Sequence, residues 1–133
     1  MENLKPNIVI VDDDPLVGEL LSKFLSKKNW TVNCFTSPSQ ALEYLKDHSV
    51  NLLLTDLHMP EMNGIELIKA TRKFKPDLPI IVMFGTYDLS LLDELDNLKV
   101  SQQITKPFEL KTLEQIIAQN LNSRPDVTSG RGK

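Results

Sequence analysis

Five short apolar runs, each too brief for a helix and each followed by a segment with helical spacing, narrow the folds open to this chain more than any other feature. The runs are Asn7–Val11, Trp30–Phe35, Leu52–Leu54, Pro79–Phe84 and Val100–Ile104. Leu52-Leu53-Leu54 is unbroken and flanked by polar residues, the pattern of a parallel strand covered on both faces, which has no solvent side to mark with alternating polarity. Between and after the runs, apolar residues recur on one stripe of a helix. Leu16, Val17, Leu20, Leu21, Phe24 and Leu25 predict an inward stripe on a helix from Pro15 to about Lys28. Ala41, Leu42 and Leu45 do so for a helix ending near His48, and Ile65, Leu67 and Ile68 for one closed by Lys75-Pro76. Leu89, Leu92 and Leu95 mark a fourth helix, and Leu110, Leu113, Ile116, Ile117 and Leu121 a fifth.

The start signals agree. Ser37-Pro38-Ser39-Gln40 has a capping-box pattern with proline at the first helical position, Asn63 with Glu66 can cap the third helix, and Asp88 the fourth. Each strand–helix–strand crossover must be right-handed and must cover the sheet, so five such units predict an α/β fold. The expected architecture is a doubly wound five-stranded parallel sheet with helices on both faces. Residues 1–121 read as one domain; the polar, breaker-rich residues 122–133 read as a disordered tail or linker stub.

Charge and composition exclude some roles. A net charge of −3 argues against a nucleic-acid-binding surface. The N-terminus lacks a signal-peptide pattern and no apolar run approaches the roughly 18 residues a membrane span needs, so the cytoplasm is the expected location. Cys34 is the single cysteine, which rules out an intrachain disulfide. In an apolar segment such a thiol is expected in the core.

The chemistry gathers where strands end. Asp12, Asp13 and Asp14 close the first run, and Asp56 stands just beyond the third. Ligands of open parallel sheets collect beyond the carboxyl ends of the strands. An aspartate there is commonly only a turn former or a helix cap, but Asp12, Asp13 and Asp56 on adjacent strands would repel one another unless a cation joined them. All the ligands offered are oxygens, which favours a hard ion, magnesium. Lys106 follows the fifth run and brings a compact positive charge to the same edge. An aspartate beside a metal and a lysine is equipped to attack phosphorus and form an acyl phosphate. His58 and Met59 have blander readings, a solvated loop side chain and a packing residue. The leucines at 89, 91, 92, 95 and 98 are more than one helix face needs; ordinary core packing is the default reading, with exposure of some for a partner as the alternative.

With I-V-I-V-D-D-D-P at 8–15, L-L-L-T-D-L-H-M-P-E-M-N-G at 52–64 and I-T-K-P-F at 104–108, in that order, the chain resembles response-regulator receiver domains of bacterial two-component systems up to about residue 121. The resemblance implies a flavodoxin-like fold of the receiver type and a phosphorelay role without enzymatic turnover. It makes Asp56 the phospho-acceptor, Asp12 and Asp13 the acidic pair for magnesium, the backbone carbonyl of His58 a third metal contact, and Lys106 the phosphate partner. It also implies a cis peptide at Lys106-Pro107, a sensor histidine kinase or phosphotransfer protein as donor, and an unknown downstream protein as receiver of the signal.

Two positions depart from the family. The hydroxyl residue expected at the end of the fourth strand is Phe84, and the aromatic switch residue expected before the lysine is Gln103. Thr86 is a candidate substitute for the missing hydroxyl. Two alternatives stay open: a receiver acting without phosphorylation, and a magnesium-dependent aspartyl-phosphate phosphohydrolase. The latter draws on Asp12-x-Asp14, which imitates the paired aspartates of haloacid-dehalogenase-like enzymes, but Pro15-Leu16 lacks the hydroxyl residue of that motif and no cap domain fits.

Overall fold

The computed structural model describes residues 5–85 and 89–122. Strands β1 (Asn7–Val11), β2 (Thr31–Phe35), β3 (Leu52–Asp56), β4 (Ile80–Phe84) and β5 (Gln102–Thr105) alternate with helices α1 (Pro15–Leu25), α2 (Pro38–Asp47), α3 (Gly64–Arg72), α4 (Leu89–Leu92) and α5 (Leu110–Asn122). All neighbouring strands are parallel, in the order β2-β1-β3-β4-β5. The fold is thus the doubly wound α/β sheet that the sequence predicts.

Alternation along the strands sends successive side chains to opposite faces and builds two cores. Val9, Val11, Leu53, Leu57, Ile80, Val82 and Phe84 pack with Ala41 and Leu45 of α2 and with Ile65, Leu67 and Ile68 of α3. Ile8, Ile10, Leu52, Leu54, Ile81 and Met83 pack with Leu21 and Leu25 of α1 and with Leu113 and Ile117 of α5. Each fully buried leucine or isoleucine contributes roughly 1.5–3 kcal/mol relative to exposure. The uninterrupted apolar runs of β3 and β4 are therefore explained: every residue of both strands is buried.

Several expectations need correction. On α1 only Leu21 and Leu25 of the six apolar residues are buried, while Leu16 is 71% and Leu20 53% exposed. Leu16, Leu20 and Phe24 form one i, i+4 row and Val17, Leu21 and Leu25 the next; the sheet covers the second, and of the first only Phe24 packs partly against the core. The helix also ends at Leu25, capped by Ser26, rather than near Lys28. Among the described residues the fourth helix is a single α turn, Leu89–Leu92, followed by a 3-10 turn at Asp93–Leu95; Asp88, its expected cap, lies outside the described residues. The leucine stripe needs no correction, since Leu95 is buried and Leu91, Leu92 and Leu98 pack partly against the core, in line with the default reading of ordinary packing. Cys34 is exposed on the edge strand β2, its thiol donating to the Gly18 carbonyl at 3.2 Å, and is not a core residue. The expected tail begins inside α5 at Asn122, and residues 123–133 lie outside the described part.

Candidate functional site

The strand order reverses between β1 and β3, which opens a crevice at their carboxyl ends. Asp12 and Asp13 follow β1 there, and Asp56 is the last residue of β3. One carboxylate oxygen from each of these three aspartates can be chosen so that all lie within 4.8 Å of one another. Asp12 and Asp56 are buried and Asp13 is exposed. Asp14, the fourth acid of the sequence cluster, is spent elsewhere: it is the N-cap of α1, its side chain accepting the Leu16 N–H at 3.0 Å.

Backbone bonds extend the sheet ladder just past the strand ends and fix the site. Asp12 N–H donates to Phe35 O at 3.1 Å, Leu57 N–H to Met83 O at 3.1 Å, and Lys106 N–H to Phe84 O at 2.7 Å. Lys106 precedes a cis proline, as the resemblance implies. Its ammonium reaches across the crevice to Asp12 Oδ2 at 3.0 Å and Asp56 Oδ2 at 3.2 Å. Gly64 lets α3 start close behind Asp56, because a Cβ there would collide with the Asp56 carbonyl oxygen and Leu57 Cα.

Electrostatics follow from this packing. Burial pushes the Asp56 carboxyl above its ordinary range; Lys106 pulls it down, Asp12 pushes it up, and hydrogen bonds from Lys106 and the His58 backbone lower it. Burial also lowers the Lys106 ammonium, but its bonds and charge interactions with Asp12 and Asp56 outweigh that and hold it above the usual lysine value. The lysine therefore stays charged and links two acids, and Asp13 faces solvent beside them. Three oxygen donors with one side open to water suit a hard divalent ion that keeps part of its hydration.

The crevice is a cavity of about 650 Å³ with one polar and one apolar side. Asp12, Asp13, Asp56, His58, Gly85 and Lys106 line the first, and Val17, Leu20, Leu21, Phe108 and Leu110 the second. The apolar wall escaped the reading of the sequence, although six apolar residues on α1 already exceed what one buried stripe needs. His58 is exposed at the rim. Phe84 is 8% exposed and its ring belongs to the core packed against α2 and α3, so it does not line the cavity, although the next residue, Gly85, does. Gln103 is exposed on the edge strand β5, and Thr86 lies outside the described residues.

A family model described as the response regulator receiver domain matches residues 8–118. The chain is 35% identical over 106 residues to the response regulator receiver protein CpdR of Brucella abortus, covering 80% of this chain and 88% of that protein. It is 33% identical over 123 residues to the transcriptional regulatory protein CrdR of Helicobacter pylori, covering 92% of this chain but only 58% of the relative. Among solved structures, a CheY-like response regulator receiver domain protein from Methanospirillum hungatei superposes with a TM-score of 0.87 at 25% identity, covering 91% of this chain and 97% of that one.

Proposed function

Because this chain belongs to the response regulator receiver domain family of two-component systems, we propose that it accepts a single phosphoryl group on Asp56 from a sensor histidine kinase or phosphotransfer protein and passes the signal on by protein contact. The observation that carries this reading is the Lys106 ammonium between Asp12 and Asp56 in an open acidic crevice. An oxygen of the Asp56 carboxylate attacks phosphorus, the bond from phosphorus to the donor's histidine nitrogen breaks, and the nitrogen leaves with the electron pair. Lys106 is placed to pair with the phosphoryl oxygens as they approach. Asp12, Asp13, Asp56 and the His58 carbonyl would hold magnesium, which when bound offsets the charge of the phosphoryl group and of the three acids. The reaction stops at the acyl phosphate, so the domain is a substrate of its donor and not an enzyme.

The apolar wall supports the donor assignment. Leu16 and Leu20 stand exposed on α1, Leu20 lines the cavity, and a helix of the donor protein could cover them while presenting its phosphorylated histidine to Asp56. The downstream partner would read a surface that responds to the phosphoryl group. Phe84, turned into the core, and Gln103, exposed on β5, support a weakened response there. No described helix is long and apolar enough to cross a membrane, in keeping with action in the cytoplasm; the receiver would run to the end of α5 at Asn122, with a polar tail or linker stub after it.

Incubation with acetyl phosphate and magnesium, read by intact mass, tests the reading. One phosphoryl group on the native chain and none on Asp56→Asn is the expected result. Continuous release of phosphate from a generic ester would instead support the phosphohydrolase alternative, and phosphate retained in Asp56→Asn would move the acceptor to Asp12 or Asp13.

A further inference from the structure

The loop between β3 and α3, residues 57–63, carries His58 and is fixed at both ends. Gly64 N–H donates to Leu57 O at 2.8 Å, Met59 is buried in the core, and Asn63 forms a reciprocal capping box with Glu66. None of these holds the outer part of the loop, Pro60–Met62. There Met62 packs partly against the core, and the polar hold comes from Glu61, an exposed carboxylate that accepts from Ser37 Oγ at 3.0 Å through one oxygen and from Ser39 Oγ at 2.5 Å through the other. The backbone N–H of Ser39 also donates to it. Ser37 is the N-cap of α2 and takes the Gln40 N–H at 3.2 Å, so its hydroxyl hydrogen is free for Glu61.

Glu61 thus caps a helix of another segment. An anion at a helix N-terminus is favoured by the exposed N–H groups and the helix dipole, but its place in the chain gives the bond a second consequence. The residues entering α2 are tied to the other side of the crevice, because Phe35 O accepts the N–H of Asp12. A closed circuit results: Asp56 leads through His58 to Glu61, across to Ser37 and Ser39, back through Phe35 to Asp12, and across Lys106 to Asp56.

We infer that Glu61, clasped by Ser37 and Ser39, is a positioning residue that sets the distance between the His58 backbone and the Asp12–Asp13 pair and so tunes the affinity of the site for a divalent cation. The inference rests on the magnesium reading above and extends it to a contact outside the ligand set. Groups that orient metal ligands without touching the ion are commonly worth 10–100-fold in affinity. For a clasp acting through one loop, the lower end, about 10-fold, is the expected effect.

The test is a magnesium titration followed by amide chemical shifts in the native chain, Glu61→Ala, Glu61→Gln, Ser39→Ala and the Glu61→Ala/Ser39→Ala double variant, with metal-free amide exchange at residues 57–62 as a second readout. Ser39→Ala leaves the Ser37 cap of α2 in place, so folding is preserved even if Glu61→Ala proves unstable. Expected are weaker binding by about 10-fold in Glu61→Ala and Ser39→Ala, no further loss in the double variant, partial retention in Glu61→Gln, whose amide oxygen still accepts, and faster exchange at 57–62. Affinity within two-fold of native in both alanine variants, with changes confined to residues 37–40, would reduce the clasp to a helix cap and overturn the inference. Failure of the native chain itself to bind magnesium would overturn the site reading and the inference together, and the native titration alone distinguishes that case.

Discussion

Lys106 Nζ lies 3.2 Å from Asp56 Oδ2, and this contact offsets only part of what the site costs the fold. Burial raises the Asp56 carboxyl, and the neighbouring Asp12 carboxylate adds to the rise. The ionised side chain therefore fits the folded crevice less well than it fits water.

Replacing Asp56 by asparagine removes that charge while keeping its shape. At neutral pH the metal-free Asp56→Asn variant should melt at a higher temperature than the native chain. Magnesium at ten times its dissociation constant should stabilise the native chain by about 1.4 kcal/mol and the variant far less. Calorimetry with and without the ion checks both halves. A variant that melts lower in the absence of metal would show that the Lys106–Asp56 pair outweighs desolvation.

The strands and the acids were legible because each is written locally: five apolar runs of three to six residues, with carboxylates after the first and the third. Asp12, Asp13, Asp56 and Lys106 could be placed on one edge from strand ends alone. What stayed hidden depends on which of two faces a neighbour covers. Leu16 and Leu20 carry the same pattern as Val17 and Leu21, and only the position of α1 over the sheet decides that the first pair is exposed. The clasp of Glu61 on Ser37 and Ser39 joins residues 24 and 22 apart, and no local pattern announces such a contact. The change from α to 3-10 geometry after Leu92 was likewise invisible, since leucines at 89, 92 and 95 suit one continuous helix as well as an α turn running into a 3-10 turn.

Arg72 at the end of α3 should prove a stability residue without influence on the site. Its Nε donates to Leu98 O at 2.8 Å, Nη1 to Lys75 O at 3.1 Å and Leu78 O at 2.8 Å, and Nη2 to Lys99 O at 3.0 Å. These bonds tie the segment leading into β4 and the segment leading into β5 to one guanidinium. Lysine is a point donor and cannot reproduce the fork. Arg72→Lys should cost about 1.5–3 kcal/mol, the range for hydrogen bonds to a charged group, seen as a lower urea midpoint with an unchanged slope. Magnesium affinity should not move.

Glu61 should titrate below the ordinary glutamate range, because hydrogen bonds from Ser39 and then Ser37 favour its ionised form. A depressed carboxyl contributes stability that is fully present above the unfolded value of 4.5 and is lost as pH falls through the folded value. The clasp should therefore persist at neutral pH and open only in acid, below that window. Carbon-detected titration of the Glu61 carboxyl checks this, and Ser39→Ala should return the midpoint toward that of a free glutamate. An unchanged midpoint in that variant would mean that the serine does not hold the loop.

The last prediction concerns Phe84, whose carbonyl holds the Lys106 N–H at the end of β4 while its ring packs into the core instead of lining the crevice beside Gly85. A hydroxyl at this position could bond a phosphoryl oxygen, a charge-assisted contact worth roughly 1.5–3 kcal/mol. A bound group shifts a conformational equilibrium only by the difference in its interaction with the two states. Without that bond the shift shrinks by on the order of 10-fold to 100-fold, at about 1.4 kcal/mol per decade. The phosphoryl mimic beryllofluoride should therefore perturb residues 56–59 strongly and residues 89–104 weakly in the native chain. Phe84→Thr should enlarge the changes at 89–104, and Phe84→Ala, which opens a similar cavity without a hydroxyl, should not. The two variants share the cost of losing a buried ring, so their difference isolates the hydroxyl. Large native changes at 89–104, undiminished relative to Phe84→Thr, would show that the signal leaves the crevice by a route that does not pass through the end of β4.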